Sequence, residues 1–142
     1  ADTYKEIVEK HAASGATITM LTTVLPDYEG WRELFWHWGR IVRNGEGAAK
    51  AITEFKLCTE EQKQITEVNN GMYCFSGAWL WENIQHLSDQ NAQEEYLLTD
   101  LIAMALEQDR LIETVHCEPQ HGIGVNRPEE VAIAEKLVCG EL

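Results

Sequence analysis

The sequence is poor in positive charge. It carries 11 Lys and Arg against 24 Asp and Glu, for a formal net charge of −13. Such an excess repels phosphate backbones and anionic headgroups, so neither nucleic acid nor a membrane surface is an expected partner. A small anionic ligand is compatible with it, neutralised by a metal ion or by a few local cations; Arg40, Arg43, Lys56 and Arg127 are the candidates. The four cysteines, Cys58, Cys74, Cys117 and Cys139, form no C-x-x-C pair. Cys74 and Cys117 lie in apolar runs and read as small core hydrophobes, which fits a reducing, cytoplasmic compartment. His116, Cys117 and His121 match no standard zinc spacing. No leader pattern is visible, and no apolar run approaches the ~20 residues of a membrane span.

The usual catalytic signatures are also missing. Gly45-Glu46-Gly47 and Gly122-Ile123-Gly124 leave G-x-G-x-x-G incomplete, and there is no G-x-x-x-x-G-K, G-x-S-x-G or H-E-x-x-H. Ser14, Ser76 and Ser88 have no evident partner base. No nucleophile stands out.

What is present suits one α/β domain. A chain of 142 residues, 44% hydrophobic, can bury a core without disulfides or a metal. Asp2 to Ser14 has helical spacing, with Gly15 placed to end it. Ala16 to Leu25 reads as a buried strand, closed by Pro26-Asp27. Short strands over Trp38–Val42 and Ala48–Glu54 flank the turn Asn44 to Gly47. Thr59-Glu60-Glu61-Gln62 is a capping-box pattern, predicting a helical turn to Gln64. Helices are predicted over Gly77–Leu87, Thr99–Gln108 and Pro128–Val138, and a strand over Leu111–Val115. Alternating strands and helices predict a layered α/β fold.

Two stretches are unusual. Trp31, Leu34, Phe35 and Trp38 fall at i, i+3, i+4 and i+7, one face of two helical turns. They either pack on their own domain or form an interaction surface for a partner. Glu67 to Phe75 reads as a strand with a polar kink. Met72 to Phe75 is an apolar run of the kind buried on both faces, and Asn69-Asn70-Gly71 precedes it. Gly tolerates unusual backbone angles, and a carboxamide both donates and accepts. The kink is either a β-bulge with solvated amides or a place where a ligand meets the backbone.

Six segments in order resemble one family: Gly39 to Arg43, Ile52 to Lys56, Thr59 to Gln62, Glu67 to Tyr73, Asn91 to Asp100 and Gly124 to Arg127. Together they resemble the uridylyltransferase domain of the bifunctional N-acetylglucosamine-1-phosphate uridylyltransferase/glucosamine-1-phosphate acetyltransferase. The resemblance implies a nucleotide-diphospho-sugar transferase fold, a Rossmann-like α/β/α sandwich with a mixed sheet. It implies transfer of a uridylyl group from UTP to a sugar 1-phosphate with Mg²⁺, releasing pyrophosphate. By position in the motifs, Gly39, Glu54 and Asn69 are expected to contact the N-acetylglucosamine part of UDP-N-acetylglucosamine, with Thr99 in the same pocket. Asn126 matches a Mg²⁺-binding asparagine.

The departures are specific. The family's glycine-rich phosphate loop and metal-binding aspartate have no counterpart in these residues, nor does its β-helix domain. Leu97 replaces a tyrosine, Asn70 a threonine and Glu94 a glycine, and the aromatic stripe is an insertion of about seven residues relative to the family's turn. The sequence therefore reads as the C-terminal portion of a nucleotidyltransferase-like domain that is inactive as an isolated chain. It holds the sugar and metal half-site and is expected to self-associate or to require a complementing chain. The alternative is a free-standing binding or oligomeric interaction module on the same fold.

Overall fold

In the computed structural model, which describes residues 2–90, 94–125 and 128–140, a five-stranded mixed sheet is flanked by helices on both faces. The strands are β1 (Ile18–Val24), β2 (Arg40–Arg43), β3 (Ala49–Thr53), β4 (Glu67–Phe75) and β5 (Ile112–His116). The helices are α1 (Asp2–Ser14), α2 (Glu60–Lys63), α3 (Gly77–Asn83), α4 (Asp100–Glu107) and α5 (Pro128–Val138). The sheet order is β3-β2-β4-β1-β5. β1 runs parallel to β5 and antiparallel to β4, and β2 runs antiparallel to β3 and β4. This is the partial Rossmann-like arrangement implied by the resemblance.

Period-two alternation in β1 sends its side chains to two separate cores. Ile18 and Met20 point to one face, where Trp79 of α3 and Leu101, Ile102 and Ala105 of α4 cover them. Leu21 points to the other face and packs with Ile7 of α1, Val115 and Cys117. Lying between β4 and β5, β1 is buried from Ile18 to Thr23. Its threonines are satisfied by pairing: Thr19 with His11 Nδ1 (2.9 Å), Thr22 with His116 Nδ1 (2.9 Å), and Thr23 donating to Asn70 Oδ1 (2.7 Å). At α2, Thr59 and Gln62 form the reciprocal capping box that the sequence predicts.

The aromatic stripe folds as a 3₁₀ helix, Gly30–Phe35, rather than two α-helical turns. The two hydrophobic anchors Leu25 and Val68 form a third core with Phe35, against which Tyr28, Trp31, Leu34 and Trp38 pack. Phe35 is wholly buried and so is not available to a partner; Trp31, Leu34 and Trp38 are half-buried against it. Arg40, named from the sequence as a possible anion-binding cation, is also fully buried. Its guanidinium lies 4.8 Å from the Tyr28 ring, 5.2 Å from Phe55 and 5.5 Å from Trp36. It donates to the carbonyls of Trp36, Trp38 and Lys63. Burial holds this guanidinium below its usual pKa range. A delocalised, weakly hydrated cation with a fixed fork of donors suits such a site better than an ammonium.

One burial expectation fails. Met72 to Phe75 are only half-buried, not enclosed on both faces. The reason is register: β2 meets β4 only at Arg40 opposite Val68, so the second half of β4 has β1 on one side and no ladder on the other.

Candidate functional site

The kink in β4 is a bulge. Met20 pairs with Tyr73 and Thr22 with Asn69, so the single residue Leu21 faces Asn70, Gly71 and Met72. Gly71 takes a φ of +71°, which a side chain would strain. Asn69 builds this bend, since its Oδ1 accepts from the Gly71 N–H (3.1 Å). Its Nδ2 donates to the Tyr73 hydroxyl (2.7 Å), and its backbone N–H donates to the Gly39 carbonyl (2.9 Å). The carboxamide is thus held in one orientation by its own strand. It still has a second N–H and a second lone pair for a ligand.

Gly39 sits directly against this asparagine. A Cβ at position 39 would lie 3.1 Å from Ile52 Cγ2 and 3.8 Å from Asn69 Cβ, so a side chain here would push Ile52 aside by a few tenths of an ångström. Glu54 follows β3 at the same edge and is half-buried. Thr99 precedes α4 but makes no side-chain cap there; its hydroxyl instead donates to Glu54 Oε1 (3.3 Å). Freed from capping, Thr99 ties the α4 N-terminus to the end of β3.

Tyr73 completes the group, and sequence reasoning had not singled it out. Four residues beyond Asn69, it returns to the same face of β4, a spacing that pointed to it. Burial pushes its phenol up to about 12; the Asn69 hydrogen bond opposes this and the nearby Glu54 charge adds to it. Gly39, Glu54, Asn69 and Thr99 are therefore brought to one end of the β2–β3–β4 edge. Beside them an open cavity of about 180 Å³ is lined by Lys50, Ile52, Glu54, Leu57, Leu97 and Thr99, among others. A larger cavity, about 450 Å³, opens elsewhere, between the start of α1, the β4 bulge and the loop after β5. It contains none of these four residues.

The remaining candidates are placed differently. Arg43 is neutralised by Glu67 through paired bonds of 2.7 and 2.6 Å. Burial alone would raise the Glu67 pKa, but hydrogen bonds from Arg43 and Thr22 and the charges of Arg43 and His116 outweigh it and hold it below the usual range. Lys56 is exposed. Asn126 and Arg127 lie outside the described residues. Among the described residues no group of three or more His, Cys, Asp or Glu is placed to hold a metal ion. Also among them, no helix is long and apolar enough to cross a membrane.

No family model matches the chain. Among curated proteins it is similar to the bifunctional protein GlmU of Carboxydothermus hydrogenoformans, 40% identical over 139 residues, which is 97% of this chain and 30% of that protein. The bifunctional protein GlmU of Clostridium perfringens (strain SM101) is 37% identical over 138 residues, 97% of this chain and 29% of that protein. That of Geobacillus sp. (strain WCH70) is 35% identical over 139 residues, again 97% and 29%. The chain thus spans about 30% of the length of the relatives it matches. With this identity sustained along nearly all of its residues, the chain is similar throughout to one segment of the bifunctional GlmU proteins.

Proposed function

We propose that this chain is the sugar-binding part of a sugar-phosphate nucleotidyltransferase-like domain. In this reading it accepts the N-acetylglucosamine moiety of UDP-N-acetylglucosamine or of the sugar 1-phosphate. The observation that carries the proposal is the convergence of Gly39, Glu54, Asn69 and Thr99, distant in sequence, at one end of β2, β3 and β4. The chemistry of the set suits a sugar. Glu54 accepts from hydroxyls and Asn69 offers a donor and an acceptor to an acetamido group, while Gly39, buried against Ile52 and Asn69, holds these groups close together.

These 142 residues, as an isolated chain, are proposed to lack uridylyl transfer. They contain no glycine-rich phosphate loop to grip a triphosphate, and positioning of both reactants is what such a transfer requires. The Mg²⁺ dependence implied by the resemblance rests on Asn126 and on ligands beyond the described set. Self-association is proposed through the strands that end the sheet, β3 and β5. A monomeric mass in sedimentation at micromolar concentration would count against that.

The deciding experiment is titration of the purified chain with UDP-N-acetylglucosamine, with and without Mg²⁺, followed by tryptophan fluorescence. Trp36 and Trp38 lie in the segment leading to Gly39, so a saturable change is expected. No change, together with no effect of Asn69→Ala or Glu54→Ala in calorimetry, would refute the sugar site. Pyrophosphate release from UTP and N-acetylglucosamine 1-phosphate would refute the proposed inactivity.

A further inference from the structure

The chain contains two Asn-Gly pairs, Asn44-Gly45 and Asn70-Gly71. A glycine has no Cβ, so its backbone nitrogen is open to the side-chain carbonyl of the residue before it. The fold treats the two pairs oppositely. Asn70 belongs to the β4 bulge and is half-buried. Its Oδ1 accepts from the Thr23 hydroxyl (2.7 Å), and its Nδ2 donates to the Gly122 carbonyl (3.5 Å). The Gly71 N–H is already engaged by Asn69 Oδ1 (3.1 Å), and Gly71 is held at a φ of +71°.

Asn44 stands in the hairpin turn between β2 and β3, where residues 44–48 are all exposed. The turn is closed by the Gly47 N–H on the Asn44 carbonyl (3.0 Å) and the Asn44 N–H on the Ala48 carbonyl (2.9 Å). Asn44 Oδ1 accepts from the backbone N–H groups of Glu46 (3.0 Å) and Ala48 (2.9 Å). Neither the Gly45 N–H nor Asn44 Nδ2 has a partner among the described residues. A free backbone nitrogen therefore adjoins a side-chain carbonyl whose oxygen already holds two donors. Donors aimed at an atom on which negative charge develops lower the barrier to its addition.

We infer that Asn44 is a site of self-modification, a deamidation promoted by the hairpin turn, and that the β4 bulge withholds Asn70 from the same reaction. The Gly45 nitrogen gives up its proton to hydroxide and bonds to Asn44 Cγ. Oδ1 takes the negative charge, facing the Glu46 and Ala48 N–H groups. The Cγ–Nδ2 bond then breaks, Oδ1 returns to a carbonyl, and Nδ2 leaves as ammonia with a proton from water. Water opens the resulting cyclic imide at one of its carbonyls and restores the proton to the Gly45 nitrogen. Opening at the side-chain carbonyl gives aspartate, and opening at the backbone carbonyl gives an isoaspartyl link. In net terms an amide and a water become a carboxylate and an ammonium ion. Both products add negative charge to a chain already at −13. The isoaspartyl form also adds a methylene to the main chain, which breaks the Asn44–Ala48 pairing and the reach of Arg43 to the Gly47 carbonyl (2.7 Å).

The test incubates the full chain at mildly alkaline pH, folded and in urea, and follows both Asn-Gly peptides by mass spectrometry. In the folded chain Asn44 is expected to convert at least about tenfold faster than Asn70, with an acidic isoform growing on ion exchange. In urea, where neither turn nor bulge survives, the two rates should converge. Gly45→Ala sets a Cβ beside the attacking nitrogen and should slow Asn44 by about tenfold, leaving Asn70 unchanged. A Cβ at position 45 meets nothing within 4 Å, so this variant is expected to keep the wild-type circular dichroism. Equal rates at the two asparagines in the folded chain would overturn the assignment. Slower conversion of Asn44 in the folded chain than in urea would also overturn it, because the bonds to Oδ1 would then restrain the side chain instead of activating it.

Discussion

Replacing Arg40 by leucine is the most direct test of how the aromatic segment is held. The guanidinium has no exposed surface and no carboxylate partner among the described residues. It serves the carbonyls of Trp36, Trp38 and Lys63 and stacks on three rings. Leucine fills part of the volume but gives those carbonyls nothing. A buried polar group left without a partner costs about 1–3 kcal/mol. Lost cation–π contacts add about 0.5–1 kcal/mol each, and removing the desolvated charge offsets part of the total. The net expectation is a loss of about 3–4 kcal/mol, a large share of the ~5–15 kcal/mol that domains of this kind possess. Arg40→Lys keeps the charge but not the fork and is expected to lose about 2 kcal/mol. Urea unfolding followed by near-ultraviolet circular dichroism, with its tryptophan-rich signal, measures both. An Arg40→Leu variant within about 1 kcal/mol of wild type would refute the argument, because the carbonyls would then have to be reached by water or be indifferent to their donors.

Three further outcomes are expected. Asp109 occupies the left-handed position after α4 at φ +53°, with the paired hydrogen bonds of a Schellman end, Arg110 N–H to Ala105 and Asp109 N–H to Leu106. Asp109→Gly removes both the backbone strain and an anion at a helix C-terminus, and should stabilise by about 1 kcal/mol, or about 2–5 °C in melting temperature. The Tyr73 phenol has a folded pKa of about 12, raised above its unfolded value. Its stabilising contribution is therefore full below pH ~10 and lost as pH rises toward the folded value. Tyr73→Phe should flatten the alkaline fall in stability by about 2 kcal/mol in urea midpoints taken across that range. Glu67 has a lowered folded pKa, so its contribution is present above the unfolded value and lost as pH falls through the folded one. Glu67→Gln should make the acid limb shallower, and an unchanged acid profile in chemical unfolding would show that the Arg43 pair contributes nothing.

Most elements were legible because their signals are local. The β4 boundaries, the Pro128 start of α5 and the Thr59 capping box depend on side chains within a few residues of one another. The bulge in β4 was legible as one of two readings, because Asn-Asn-Gly admits few other backbone paths. Glu94 shows the limit of such local signals. It stands where the resembled family has a glycine and takes a positive φ of 55°, a conformation that a non-glycine residue disfavours. Periodicity also misjudged the aromatic segment. Spacing of i, i+3, i+4 fits an α-helix, but a tight 3₁₀ turn presents nearly the same residues, and only packing on Leu25 and Val68 selects it.

The Glu67–Phe75 stretch and the ordered motifs around it were enough to assign the α/β class and the family resemblance, because both depend on the order of residue types along the chain. What lies beside what was decided only in three dimensions. Arg40 became a buried structural cation rather than a ligand-binding one, because the sheet places it under Tyr28, Trp36 and Phe55. Thr99 bonds Glu54 instead of capping α4, and Tyr73 joined the site, because strand pairing and the β3–α4 contact bring together groups up to 45 residues apart. No local propensity encodes those distances; they arise from which hydrophobic faces close on one another.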